Sequence, residues 1–125
     1  MLKTLLIVGT GGFIGTILRF FVSRYFQENT FSVFPWGTFT VNILGSLFIG
    51  IFYGMSERGN LLSPDLRIFL TVGICGGFTT FSSLSNDAFI LLMEKEWFKL
   101  SLYTSLSFFF GLVAVYLGRT LIKSI

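Results

Sequence analysis

Residues 73–87 read Gly73-Ile74-Cys75-Gly76-Gly77-Phe78-Thr79-Thr80-Phe81-Ser82-Ser83-Leu84-Ser85-Asn86-Asp87, paired glycines followed by a run of hydroxyls. The stretch lies inside a segment, Leu66 to Met93, long and apolar enough to cross a bilayer. Glycine is costly in a helix interior, and Ser and Thr side chains compete for backbone hydrogen bonds. The pattern predicts a membrane helix broken near its middle, not merely kinked. A break frees backbone groups at membrane depth, which is tolerated only where protein or a polar cavity receives them. Broken helices of this kind build ion sites.

The rest of the chain supplies the membrane. Of 125 residues 53% are hydrophobic and only 12% charged, with a mean hydropathy of +0.81. A soluble domain carries about 25% charged residues, so lipid is the solvent here. Three further apolar segments run from Thr4 to Phe26, Gly37 to Met55 and Phe98 to Leu121. The first resembles a signal peptide only superficially, since it continues through Arg19 without a small-residue cleavage pattern, and it is read as the first span. Pro35 and Pro64 stand where helices begin, and Trp36 and Trp97 at segment ends. No linker or repeat divides the chain, so residues 1–125 form one four-helix transmembrane domain.

Four spans put both termini on one side, with Lys3, Arg58, Arg67, Arg119 and Lys123. The other side carries Arg24, Lys95 and Lys99, plus Arg19 if it reaches the interface. So small a bias hardly specifies an orientation. Either the chain inserts both ways and pairs antiparallel, or one orientation is fixed by other factors. The net charge of +3 is scattered, which argues against nucleic acid. With no histidine and one cysteine, Cys75, histidine or cysteine metal sites and disulfides within one chain are excluded.

Polar residues in the other spans are costly and therefore informative. Thr38, Asn42, Gly45 and Ser46 share roughly one helical face. The Asn42 amide must face protein or a water-filled passage, as interhelical glue or as a pore group. Phe81 with Leu84 and Ser85 occupies one face after the break, and Ser82 with Ser85 and Asn86 a neighbouring one. A phenyl ring has a positive edge that suits an anion, though most of the 17 phenylalanines must simply pack or face lipid. Tyr103 and Ser107, one turn apart, could extend a line of hydroxyl donors. Small residues at helical spacing, Gly11 with Gly15, Ser46 with Gly50 and Gly50 with Gly54, allow close helix contact, either inside one subunit or between two.

Taken in order, Gly12-Phe13-Ile14-Gly15-Thr16-Ile17-Leu18-Arg19, then Gly37-Thr38, Val41-Asn42 and Gly45-Ser46, then Gly73 and Gly76 to Ser82, the chain resembles the Fluc/CrcB fluoride channel family over essentially its whole length. The resemblance implies an antiparallel, dual-topology homodimer in a prokaryotic plasma or inner membrane, with two fluoride pores. It implies that Asn42 and Phe81 are pore residues and that Thr38, Ser82, Ser85, Tyr103 and Ser107 lie near the path. It implies a structural sodium ion (Na+) at the dimer centre, held by the backbone carbonyls of Gly76 and Thr79. Oxygen ligands suit such a hard cation. Leu84 stands where the family usually has a second phenylalanine, and Asp87 where a glutamate is common. At Leu84 three outcomes are open: the remaining donors suffice, conduction is reduced, or a sister subunit supplies the missing ring; the first is preferred.

Such a pore replaces the water of a small anion with uncharged donors. Binding must be strong enough to admit the ion and weak enough to release it. The broken stretch itself carries no buried cation that would hold it too firmly. The rival readings are a four-span proton-coupled drug exporter, a scaffold subunit and an enzyme. The exporter needs a carboxylate in the first span, but Met1 to Phe26 has none, and Asp87 is the one candidate elsewhere. A scaffold explains the glycines but not the clustered hydroxyls with Asn42. An enzyme lacks a nucleophile–base pair.

Overall fold

The computed structural model describes residues 1–29, 33–59 and 61–124. Among the described residues, four helical stretches are long and apolar enough to cross a membrane: Leu2–Glu28, Trp36–Glu57, Pro64–Met93 and Trp97–Lys123. Each overruns its predicted segment at one end or both, because helical geometry continues past the apolar core to the charged residues at the interface. A helix of 27 residues is about 40 Å long, so α1 (Leu2–Glu28) and α5 (Trp97–Lys123) have length to spare for the roughly 30 Å of hydrocarbon. Between them along the chain lie α2 (Trp36–Glu57) and the third span.

The third span is two helices. Ser63 opens α3 (residues 64–78) as its N-cap, with its Oγ accepting the Leu66 N–H at 3.2 Å and Pro64 in the first turn. The helix then widens into a π-helix over Phe69–Cys75, and the Gly76 N–H reaches back to the Thr71 carbonyl. It stops at Phe78. Thr79 (φ −88°, ψ 156°) and Thr80 (φ −151°, ψ 123°) are extended, and α4 (Phe81–Met93) starts afresh with Thr80 as its N-cap. The predicted break is present. Lys95, at φ 58°, turns the chain from α4 into α5.

The glycines pack spans within one subunit. A Cβ on Gly11 would stand 2.8 Å from the Gly73 Cα, and one on Gly15 would collide with the Ile74 carbonyl, so α1 lies directly on the π-helical turns. Across the bundle, Gly50 faces the Val115 carbonyl, and a Cβ on Gly118 would stand 2.5 Å from the Leu47 carbonyl oxygen. At these positions the open choice between internal packing and subunit contact resolves to internal packing.

Little else is buried. Phe34, Leu91 and Tyr103 form the core cluster, with Phe39, Leu84, Leu100 and Leu102 against it. The Phe34 and Tyr103 rings meet edge to face, centroids 5.4 Å apart. Most large apolar side chains point outward, Phe13 and Phe108 among them, as lipid permits. Ion pairs sit at the helix ends: Lys3–Asp65 at 2.9 Å, Arg24–Glu28 at 2.6 Å and Arg119–Glu57 at 2.6 Å. The first two are exposed and stabilise little, whereas Arg119 is half-buried.

Candidate functional site: the break and its two cavities

The break is assembled by side chains from other spans. Asn42 on α2 donates from Nδ2 to the Thr80 carbonyl at 3.0 Å, while its Oδ1 accepts the Thr80 N–H at 2.8 Å. In a continuous helix those two backbone groups would bond four residues away along the chain. Asn42 stands in for both partners, so it is interhelical glue in the first instance. The amide keeps a second Nδ2 hydrogen and an oxygen lone pair for anything beside it.

Hydroxyls complete the cap. Thr80 Oγ1 accepts the Ser83 N–H at 3.1 Å and lies 3.3 Å from the Ser82 hydroxyl. Thr79 Oγ1 donates back to the Cys75 carbonyl at 3.0 Å, and the Thr79 N–H binds the same oxygen at 3.0 Å. Gly45 leaves the room on α2 that the Thr79 methyl fills.

Beside this junction lies an open cavity of about 310 Å³ lined by Asn42, Ser46, Ile49, Thr79, Thr80, Phe81, Leu84 and Val115. It brings together three of the residues expected at a pore: Asn42, Phe81 and Leu84. Phe81 is 80% exposed and, unlike the similarly exposed Phe13 and Phe108, lines this cavity. Leu84 both lines the cavity and leans on the Tyr103 cluster. Ser82 and Ser85 are exposed on the outer surface of α4 and do not line it.

A second cavity, of about 260 Å³, is lined by Ser23, Gln27, Val33, Pro35, Thr38, Asp87 and Ile90. Thr38 therefore belongs to a different chamber from Asn42, one helical turn away on the same face of α2. Asp87 accepts the Tyr103 hydroxyl proton at 3.2 Å. Tyr103 is fully buried. Ser107, a turn further along α5, is 8% exposed, and its Oγ meets no hydrogen-bond partner among the described residues. A Cβ on Gly111, the next turn again, would lie 3.5 Å from Ser46 Oγ, so this face of α5 runs along the Thr38–Asn42–Ser46 face of α2. From Thr38 to Ser46 is about 12 Å of helix.

Two contributors escaped the sequence. Gln27, at the end of α1, accepts the Gly37 N–H on its Oε1 at 3.1 Å and so fixes the start of α2 beside the second cavity. Arg19, allowed for as an interfacial charge, lies about 13 Å short of the end of α1 at the helical rise, and its Nε donates to the Gly77 carbonyl at 3.0 Å. The broken stretch itself carries no cation, as expected; a charge nevertheless reaches it from another span.

The Gly76 and Thr79 carbonyls, expected to face a cation, take no hydrogen bond from a described donor, and Gly76 is exposed on the surface. That is the donor set a hard cation accepts.

Fold and site together define a class: a multi-pass helical membrane protein with an interrupted span and uncharged donors beside the interruption. Residues 6–119 match the family profile of CrcB-like protein, Camphor Resistance (CrcB). The chain is 46% identical over 121 residues to a fluoride-specific ion channel FluC of Azobacteroides pseudotrichonymphae, covering 97% of both chains. It is 40% identical over 124 residues to that of Flavobacterium psychrophilum, covering 99% of this chain and all of the other. To the fluoride-specific ion channel FluC 1 of Methanosarcina acetivorans it is 43% identical over 116 residues, 93% of this chain and 88% of that one. The chain belongs to the CrcB/FluC fluoride channel family, a family of channels and not of enzymes.

Proposed function

We propose that the protein lets fluoride leave the cell passively, through pores completed when two copies pair antiparallel. The observation that carries this reading is the junction itself: the Asn42 amide, bonded to both backbone groups of Thr80, stands beside the exposed ring of Phe81 in one cavity. The names borne by its relatives supply the ion. Fluoride is small and strongly hydrated, so its water must be exchanged for donors that hold it without trapping it. Thr38 in the second cavity, the buried hydroxyls of Tyr103 and Ser107 along the facing side of α5, then Asn42 and the Phe81 ring edge are uncharged groups suited to that exchange. The amides at the start of α4 present the positive end of a helix to the same cavity.

Ser82, Ser85 and Asn86 support the pairing. They are exposed near the middle of the third span, where lipid offers no partner. A second copy would cover them. Gly76 and Thr79 would hold sodium at the centre of that contact, where the ion would supply fixed positive charge. Leu84 fills its place without a ring edge, and in this reading the remaining donors suffice.

The test is reconstitution of the purified chain alone in liposomes, with fluoride and chloride efflux followed by ion-selective electrodes. Fluoride release without chloride release is expected. Release of neither ion would overturn the reading for this chain alone, and fluoride release only on adding a sister chain would make it half of a mixed channel.

A further inference from the structure

A helix that stops inside a membrane exposes its last carbonyls, which carry the negative end of its dipole. In an unbroken third span the Gly77 carbonyl would accept the Phe81 N–H, and the Gly76 carbonyl the Thr80 N–H. Asn42 has taken the Thr80 N–H. Arg19 Nε has taken the Gly77 carbonyl at 3.0 Å, in the place of Phe81. One side chain occupies the donor that healing the helix would need, and the other occupies an acceptor.

The surroundings of Arg19 fit this task. Arg19 is half-buried and forms no ion pair among the described residues, although a cation at membrane depth is costly unless something nearby compensates it. The compensation is the carbonyl end of α3. Contact is enforced by glycine: a Cβ on Gly77 would stand 2.7 Å from the Gly12 carbonyl oxygen and 3.2 Å from the Thr16 N. Charged donors make the stronger hydrogen bonds, and the planar guanidinium gives this one a fixed direction.

We infer that Arg19 is a positioning residue that keeps the third span open: its guanidinium holds the Gly77 carbonyl and offsets the negative end of α3, fixing where Phe81 stands without itself taking the ion. Its consequence for fluoride rests on the channel reading, whereas its consequence for the backbone does not.

The test uses the full chain in bilayers. In the wild type, solid-state NMR should give a dipolar coupling between Arg19 ¹⁵Nε and the Gly77 carbonyl ¹³C. In Arg19→Gln the Thr79 and Thr80 carbon shifts should leave their extended values and fluoride efflux should fall about tenfold, the effect of losing one charge-assisted bond. Arg19→Lys, which keeps the charge, should retain the extended shifts and most of the efflux. Unchanged Thr79 and Thr80 shifts in Arg19→Gln would overturn the inference even if fluoride were lost, since Arg19 would then act on the ion directly. Displaced shifts with full efflux would overturn it too. Should Arg19→Gln fail to fold, absence of the wild-type coupling is the overturning result. A wild type that passes no fluoride defeats the channel reading alone, and the coupling and the shifts still decide for Arg19.

Discussion

The α2–α5 contact and the α1–α2–α3 junction are built on opposite principles. Along α2 and α5 two uninterrupted helices touch backbone to backbone, with Gly50 against the Val115 carbonyl and Gly118 against that of Leu47. Their own ladders satisfy both backbones, so the contact asks only for missing side chains. At the junction the backbone is interrupted, and close approach alone would leave carbonyls and amides unmatched. There Arg19, Asn42 and Thr80 supply bonds the ladder has lost. Small residues make contacts in this molecule; polar side chains receive an interrupted backbone.

The contrast can be broken most severely on the glycine side. Gly50→Ala should cost about 3 kcal/mol, near the upper end of overpacking penalties, because the group in its way is the Val115 backbone, which cannot step aside. A large drop in monodisperse protein after detergent extraction would show it. At the junction, Asn42→Asp keeps an acceptor for the Thr80 N–H but sets a carboxylate against the Thr80 carbonyl. Fluoride efflux should fall about tenfold or more, with stability lowered by about 1–3 kcal/mol for the carbonyl left unmatched. Normal efflux from liposomes would remove Asn42 from the pore.

A subtler probe is Leu84→Phe. The residue borders the 310 Å³ cavity beside Phe81, so a ring there adds a polarised edge. With the remaining donors sufficient, efflux should change by less than about threefold, below 1 kcal/mol, read from the initial rates of matched liposomes; a rise of about tenfold would mean that the missing ring limits conduction. Smallest is Gly9→Ala. Two residues from the tightly enclosed Gly11, a Cβ at Gly9 meets nothing within 4 Å. Thermal unfolding in detergent should show a stabilisation of about 0.5–1 kcal/mol. A loss would mean that Gly9 faces another subunit rather than lipid.

These glycines also show what the sequence could and could not disclose. The spans were legible because lipid demands long apolar runs, and the break because Gly76-Gly77 and the hydroxyls after it are poor helix material, although the helix carries through both glycines and stops at Phe78. Asn42 was legible as a problem needing a solution, but whether glue or pore was not, since that depends on which backbone groups the break exposes. The π-helical turns left no trace, because nothing in the residue types of Phe69–Cys75 distinguishes a π-helical register from an α-helical one. Arg19 was missed for a similar reason: its partner is a carbonyl 58 residues away, and carbonyls are alike in every sequence. Thr38 and Asn42 share a face yet line different cavities, a division made by Gln27, Pro35 and Asp87 closing in around Thr38.

The junction also has a direction in time. Arg19 and Asn42 both precede Gly77 and Thr80 in the chain, so during synthesis their spans enter the bilayer first. When the third span emerges, the side chains that bond its Gly77 and Thr80 backbone groups have already been made. Tyr103, made last, then closes over Phe34 and Leu91. Moving either clamp to the final span would leave a nascent chain exposed at its least tolerable point, and so the order of the helices is itself part of how this protein gets built.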